Sequence, residues 1–266
     1  MDSLMTLTPA VSGSQFLLRS GYNSNITATG RPFALGNYGL STGIGYLHRS
    51  GFFADVSGYW SREYTPSYFL TTATTGYLFT PHQNWTLAAE YNRYWYNLAD
   101  NTYIAYTNSF NVTAFWHKGL FNARTDYSLY FGKKTGHRFS PTLGLDLTAE
   151  RKLGLDRIRL MPMAGILFGT ESISSYVPYS TNPVVVRERI RQGLPLFYEM
   201  SSVKAGIMNY SFSLPLTLRK GAWDLLFNYT YNIPKALPGE QLGLTKGGFF
   251  SFSLTRYIDI GKGRRP

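Results

Sequence analysis

Two absences narrow what this 266-residue sequence can do. It has no cysteine, which excludes disulfide frameworks, thiol catalysis and thiolate metal sites. It also lacks any apolar run approaching the ~18 residues of a membrane-spanning helix. The mean hydropathy of −0.18 resembles that of a soluble protein. Strictly alternating strands, however, hide a lipid-facing surface from such an average, so hydropathy alone does not decide the class.

Charged residues are also scarce, at 15% of the chain, and they are unbalanced, with a net charge of +11. A basic excess can indicate nucleic acid or an anionic membrane surface. Here the bases are scattered through turns and loops and form no stripe with stacking aromatics, so we expect no nucleic-acid partner. No two of the four histidines have the spacing of metal ligands, and we expect no metal and no cofactor.

Aromatic residues and glycine are abundant. The sequence contains 21 tyrosines, 18 phenylalanines and 26 glycines, and 17% of it is aromatic. Soluble cores are usually richer in aliphatic residues, so this composition favours β-structure with aromatic girdles.

The segment 104–131 shows the pattern most clearly. Side chains on a strand alternate between two faces. On the first arm, one face is apolar and aromatic, and we place Tyr106, Phe110 and Trp116 on it. The second arm follows a basic residue and a glycine, Lys118-Gly119, which suit a tight turn. A long hairpin with one apolar and one polar face is typical of a transmembrane barrel.

The same pattern recurs along the chain and predicts an all-β fold, a transmembrane antiparallel up-and-down β-barrel of about 12 strands. Pro162 and Pro215 fall inside predicted strands, and because proline cannot donate to a ladder we expect a bulge at each. The predicted strands are approximately 15–23, 37–47, 52–60, 68–79, 85–95, 104–117, 120–131, 139–150, 158–168, 205–218, 223–231 and 248–260.

Two further patterns support closure. Connections are predicted to alternate strictly between short turns and longer loops, as in outer-membrane barrels. All tryptophans fall at predicted strand ends, where indole prefers the membrane interface. The predicted interface girdle is Trp60, Trp85, Trp95, Trp116 and Trp223.

The last strand, Gly248–Tyr257, is similar to the C-terminal insertion signal of bacterial outer-membrane β-barrels, and the chain resembles that class over residues 14–260. Its proportions resemble small channels and uncharacterised barrels more than large trimeric porins. The resemblance implies an outer-membrane location, contact with its lipids and lipopolysaccharide, and insertion by the barrel-assembly machinery. We expect a periplasmic lead-in at 1–13, a basic periplasmic tail at 261–266, and a mature chain with an added Met1.

The polar strand faces supply the first candidate site, the lumen. Charge inside a membrane protein is costly and is treated as functional by default. Opposite charges can also simply pair and fill the bore, as Arg124 and Asp126 could. The predicted lumen-facing residues are Asp55, Glu90, Arg124, Asp126, Asp146, Glu150 and Asp224. The constriction candidates are Tyr59, Tyr94 and Tyr130.

The second candidate is a long extracellular loop predicted at 170–202. Its centre contains Arg187, Arg189 and Arg191. These arginines could narrow the mouth, lie on a loop hairpin, contact lipopolysaccharide phosphates or face solvent.

Catalysis has little support. His48-Arg49-Ser50 resembles the His-x-Ser arrangement of an outer-membrane phospholipase, but it lies in a predicted short turn, and no nucleophile, base and orienting group converge. Our first hypothesis is therefore a passive channel for small hydrophilic solutes. The alternatives are a non-conducting structural or complex-forming barrel, whose protein partner the sequence does not identify, and, third, a lipid hydrolase.

Overall fold

The computed structural model describes residues 13–25, 27, 28, 31, 32, 38–99, 103–240 and 243–260. Most of this part of the chain is β-strand, and one helix, α1, spans Pro183–Arg191. The strands are β1 Ser14–Asn23, β2 Thr27–Ala28, β3 Arg31–Pro32, β4 Gly39–Leu47, β5 Phe52–Ser61, β6 Tyr68–His82, β7 Trp85–Tyr96, β8 Tyr106–Lys118, β9 Phe121–Gly132, β10 Thr135–Leu145, β11 Leu147–Lys152, β12 Leu155–Leu160, β13 Met163–Pro178, β14 Phe197–Lys220, β15 Trp223–Pro234 and β16 Gly247–Ile260.

These strands close into an antiparallel barrel, because β1 pairs with β4 on one side and with β16 on the other. Around the rest of the ring, β4 to β10 pair in chain order, β10 pairs with β13, both β12 and β13 pair with β14, β11 pairs with β12, and β14, β15 and β16 pair in turn; β2 and β3 form a separate small ribbon. Two barrel positions are each occupied by two segments, β10 with β11 and β12 with β13. The predicted closed 12-stranded antiparallel barrel is confirmed.

The interruption of two strands has a local cause. Pro162 separates β12 from β13, and its carbonyl accepts a hydrogen bond of 3.0 Å from the Leu145 amide where β10 gives way to β11. Pro215 lies where β14 changes partner from β13, which it pairs with up to Ser213, to β12. Both prolines therefore mark irregular pairing, since neither can donate to the ladder.

The inward and outward faces follow the alternation along most of each strand, and a register shift in β8 changes the facing of one predicted residue. Between Tyr106 and Asn108 the register of β8 shifts, as at a β-bulge. The Tyr106 hydroxyl donates to Glu171 Oε1 at 2.8 Å, and its ring lies 5.7 Å from that of Tyr130 inside the barrel. The prediction that Tyr106 faces the lipid is therefore wrong, because the extra residue reverses its facing relative to the strand that follows.

At one end of the barrel the connections are short turns, including Gly119–Leu120 and Leu153–Gly154. At the other end they are mostly longer, but β9 and β10 are joined by Lys133 and Lys134 alone. The predicted strict alternation of connection lengths fails there because β10 begins at Thr135, four residues before the predicted start.

The region predicted as a loop at 170–202 is mostly regular structure. β13 continues to Pro178 and β14 begins at Phe197, so the two form a hairpin that continues beyond the strands beside it. Its tip contains α1, which Asn182 caps by accepting from the Val184 amide at 2.9 Å. The loop-hairpin alternative is the one that the structure favours. Among the described residues no helix is long and apolar enough to cross a membrane.

The predicted lead-in at 1–13 and tail at 261–266 lie outside the described residues, apart from Gly13. Their periplasmic placement stays a prediction.

Candidate functional site

The interior of the barrel contains a cavity of about 420 Å³. Its lining comes from strands all around the ring and is mostly polar, with serine, threonine and asparagine side chains between charged ones. Glycines at 21 and 43 also line it. The charged and aromatic residues among its lining are Arg19, Asp55, Tyr59, Glu90, Phe115, Arg124, Asp126, Arg159 and Phe252.

Ion pairs dominate the charged part of this lining. Arg19 on β1 pairs with Asp55 on β5, and both side chains are largely buried, at 13% and 6% exposure. Arg124 Nε lies 2.8 Å from an oxygen of Asp126, as the spacing of two on one strand suggests. Thr113 also donates to Asp126 at 2.6 Å. Each carboxylate therefore has a compensating donor, as a buried charge requires.

Glu90 has amide donors in place of an ion-pair partner. It is 9% exposed and accepts hydrogen bonds from the side-chain amides of Asn111 at 2.9 Å and Asn92 at 3.4 Å. Asn92 in turn accepts from Thr74 at 2.5 Å and donates to Ser109 at 3.2 Å. This network spans three neighbouring strands, and it makes the wall polar without placing a second charge beside Glu90.

Two other predicted lumen residues lie inside the barrel but not on the cavity. Asp146 pairs with Arg159 at 2.5 Å. Asp224 accepts from the Tyr257 hydroxyl at 3.0 Å and lies 3.6 Å from Arg219. Both pairs lie towards the short-turn end.

Glu150 does not lie in the bore. It belongs to β11, every residue of which is exposed, and β11 pairs with β12 but with no other described strand. The β11–β12 hairpin continues past the end of β9, which pairs with β10 only up to Leu145. The prediction that Glu150 faces the lumen is therefore wrong. Its side chain points to the same side as the inward residues of its strand, but at this height no neighbouring strand encloses a bore.

The three tyrosines proposed as a constriction are not equivalent. Tyr59 lines the cavity. Tyr94 lies 2.8 Å from the Ser109 hydroxyl and Tyr130 packs against Tyr106, and neither is among the cavity-lining residues. A constriction formed by all three stays a prediction.

An apolar cluster lies inside the barrel near the short-turn end. Leu17, Leu47, Phe53 and Tyr257 are each at most 6% exposed, and Leu78 packs against them. These residues come from five neighbouring strands. Gly76 makes room for the cluster, since a Cβ there would lie 2.5 Å from Cζ of Phe53. The cluster fills part of the bore with hydrocarbon, because these inward positions carry apolar side chains where polar ones are expected.

The arginines of α1 lie away from the cavity. No residue of α1 is buried, and Arg187 and Arg191 are exposed. Arg189 stacks over the Tyr179 ring at 3.9 Å and donates to the Pro195 carbonyl at 2.9 Å. The structure thus fixes Arg189 on its own hairpin and does not bring the three arginines into the bore.

Sequence reasoning missed the arginines that complete the interior, including Arg19, Arg138 and Arg159. Arg138 pairs with Glu171 at 2.6 Å near the loop end. Each arginine lies on the strand face opposite to its outward apolar neighbours, as Arg19 does relative to Phe16 and Leu18. Its position in the alternation could therefore have identified it as inward-facing.

The His48–Ser50 contact is a turn hydrogen bond. His48 Nδ1 lies 2.8 Å from the Ser50 hydroxyl, and it also accepts from the Ser50 backbone amide at 3.3 Å. No hydrogen bond links a described carboxylate to this imidazole, so the base has no orienting group of the kind a catalytic triad needs. In the described part of the chain, no three histidine or acidic side chains group as metal ligands.

The outside of the barrel is apolar and has aromatic residues at both ends. Trp85 faces Trp116 across β7 and β8 near the short turns, and Trp223 lies there too, under Arg256 at 5.2 Å. Trp60 and Trp95 lie at the loop end. Between these ends the exposed surface is lined by large apolar side chains, including Phe16, Ile44, Val56, Phe110, Val112, Phe139, Phe212 and Phe227.

A closed barrel with a polar interior and an apolar outer belt is a transmembrane β-barrel, because only closed strands satisfy the backbone within lipid. At the level of class, the chain resembles bacterial outer-membrane β-barrels.

Comparisons with known proteins add the following. No protein-family model matches the chain, and no curated protein matches it. Among solved structures it is similar to the KdgM porin, at 7% identity over 92% of this chain and 99% of that one, with a TM-score of 0.49. It is similar to the NanC porin at 8% identity over 91% and 100%, with a TM-score of 0.47. The translocator domain of the autotransporter NalP from Neisseria meningitidis matches at 12% identity over 93% and 88%, with a TM-score of 0.47. Likeness at this level carries no information about activity or substrate.

Proposed function

We propose that the protein is a passive channel for small hydrophilic solutes in a bacterial outer membrane. The observation that carries this proposal is the polar cavity of about 420 Å³ inside the barrel. That volume lies within the ~300–1,000 Å³ range of small-molecule sites. A lining of hydroxyls, amides and paired charges can exchange hydrogen bonds with a solute that has lost part of its water.

The charge of the lining suggests the class of solute. Three arginines (19, 124 and 159) and three carboxylates (55, 90 and 126) border the cavity, so their formal charges cancel. Lumen charges set selectivity in pores. A balanced set favours neutral polar solutes and weak ion selectivity.

A non-conducting barrel is the second candidate, and the apolar cluster favours it. The Phe53 ring and its neighbours fill the bore from β16 to β6 near the short-turn end. If this cluster blocks the full cross-section of the bore, the cavity is open at one end only, and the barrel serves a structural or complex-forming role.

Planar-bilayer conductance separates the two functions. We expect discrete conductance steps from the purified wild type, and larger steps from Phe53→Ala, which removes an inward ring that is 2% exposed. Phe52→Ala is the matched control, since Phe52 is 44% exposed on the outer face one residue away. Folded barrels that stay silent in the wild type and in Phe53→Ala contradict the channel and support the non-conducting role.

A further inference from the structure

The connection that follows β15 contains a tight turn of four residues. The Glu240 amide donates to the Leu237 carbonyl at 2.9 Å, and the Glu240 carboxylate accepts from the Leu237 amide at 2.7 Å. Pro238 occupies the second position of the turn and Gly239 the third, with a φ of +84°. Proline at the second position and a positive φ at the third are typical of a type II turn. The local sequence therefore fixes the shape of this turn.

Leu237 is the side chain of this turn that the protein buries. It is 2% exposed, whereas Pro238 and Gly239 beside it are exposed. Two residues earlier, the Lys235 amide donates to the Met208 carbonyl at 2.8 Å, which holds the start of the connection against β14. The connection therefore places one leucine against the barrel and leaves the tip of its turn in solvent.

The surface beneath Leu237 is the inner wall of the barrel. Gly206 on β14 lies opposite Gly169 on β13, and Gly169 lies opposite Arg138 on β10. Directly opposed residues share a face of the sheet, and Arg138 lies inside the barrel, so Gly206 also faces inward. A Cβ on Gly206 would lie 3.1 Å from Leu237 Cδ2. Leu237 therefore occupies the inside of the loop end, over a position that has no side chain.

The cavity begins below Leu237, towards the short-turn end. On β10, Arg138 is the next inward position after the cavity residue Ser140 in the direction of the loop end. On β14, Met208 lies between the cavity residue Ser211 and the glycine beneath Leu237. Arg138 is 4% exposed and Met208 is 1% exposed. Buried side chains therefore separate the cavity from the loop end along these two strands, and on β14 the outer one is Leu237.

Arg138 and Leu237 present different surfaces to a solute. Arg138 pairs with Glu171 and donates to the His137 carbonyl at 3.0 Å. Such a group can offer hydrogen bonds to a polar solute in place of water. Leucine offers only hydrocarbon, so a polar group that passes it loses water and receives no hydrogen bond in return. Of the two, Leu237 is therefore the greater obstacle to a hydrophilic solute.

We infer that Leu237 limits the entry of hydrophilic solutes into the cavity from the loop end and sets the size of the solutes admitted. Apolar constrictions control passage in pores because water and polar solutes cross them poorly. The effect on entry follows from the position of the side chain, whereas the effect on passage through the barrel rests on the proposed channel function. Because residue 206 is glycine, no side chain of β14 takes the place of Leu237 when it is shortened.

The reactivity of one cysteine in the cavity measures entry. The chain has no cysteine, so Ser211→Cys introduces a single reporter on the cavity wall. In detergent-purified protein, we expect a charged methanethiosulfonate to modify this reporter at least about fivefold faster when Leu237→Ala is added, because the reagent then passes less hydrocarbon. Leu237→Val should give an intermediate rate.

Leu194→Ala is the matched control for this measurement, because Leu194 belongs to the hairpin at the same end of the barrel and is 44% exposed. It should leave the rate of the reporter unchanged. Heat-modifiable gel migration reports folding for each variant. An unchanged reporter rate in folded Leu237→Ala and Leu237→Val overturns the inference.

Liposome swelling with arabinose and sucrose separates this inference from the channel function. We expect Leu237→Ala to raise the ratio of the sucrose rate to the arabinose rate at least about twofold, because a wider constriction favours the larger solute most. An unchanged ratio in swelling liposomes overturns the size-setting role. If neither the wild type nor Leu237→Ala supports swelling while the reporter reacts faster in Leu237→Ala, the channel function is wrong and the entry barrier stands.

Discussion

The balance of charge in the bore predicts how a single substitution changes ion selectivity. Asp55→Asn removes one of three cavity carboxylates, the one that forms an ion pair with Arg19. The lining then has a net charge of +1. The neutral amide still hydrogen bonds, so the shape of the cavity is nearly preserved.

The magnitude follows from Coulomb's law. A unit charge about 5 Å from a permeating ion contributes about 0.8 kcal/mol at the dielectric constant of water and about 3 kcal/mol at an effective value of 20. Since each 1.4 kcal/mol is tenfold, the lower figure enriches anions roughly fourfold. Salt at 0.1 M screens little over this distance, because the Debye length is about 10 Å.

Reversal potentials across a potassium chloride gradient measure the effect. We expect a wild-type channel of weak selectivity, a chloride preference raised at least about fourfold in Asp55→Asn, and a potassium preference in Arg19→Gln. The double variant should return to the wild-type value. Asp259→Asn is a control, since Asp259 is exposed at the strand end and bonded to Gln15. Unchanged selectivity in a conducting Asp55→Asn, or a double variant that stays selective, refutes the reasoning.

Three further predictions concern topology, the helix and stability. Because the chain has no cysteine, Lys118→Cys and Ser180→Cys each introduce a single labelling site. A membrane-impermeant maleimide added to intact cells should label the Ser180→Cys variant and not the Lys118→Cys variant. Labelling of Lys118→Cys would mean that the orientation of the barrel is the reverse of the one expected. Replacing residues 183–191 with a glycine–serine linker should leave conductance unchanged, because no residue of α1 is buried or lines the cavity; an increase identifies a gate. Asp126→Asn should lower the free energy of unfolding in urea by about 1–3 kcal/mol, because it weakens the bonds from Arg124 and Thr113; an unchanged midpoint contradicts this.

Local alternation was enough to find the barrel. The segment 52–60 alternates cleanly and became Phe52–Ser61, and Lys118-Gly119 begins the turn between β8 and β9, as predicted. These features depend on neighbours in the chain. Before Asn108 the register of β8 shifts by one residue, and simple alternation then places Tyr106 on the wrong face. Nothing in the residue types around this β-bulge indicates it.

The contents of the bore were less predictable for a different reason. Arg124 and Asp126 share a strand, so their pairing could be read from spacing. Arg19 and Asp55 meet across β4, which separates their strands, and that contact depends on the register of two hairpins at once. Glu150 shows a third limit of the sequence. The alternation gives the side of the strand on which Glu150 lies, but the height at which neighbouring strands end depends on the stagger of strands around the ring.

The seam between β1 and β16 has a consequence for biogenesis. Ser14 faces Ile260 there, and Gln15 donates to Asp259 at 2.7 Å across 244 residues of sequence. Every other junction of the ring joins strands that are closer in the chain. The ring itself shuts only after β16 is available. Until then β1 presents an open edge, and a chain truncated by even one strand leaves that edge exposed to a chaperone, a protease or a second chain.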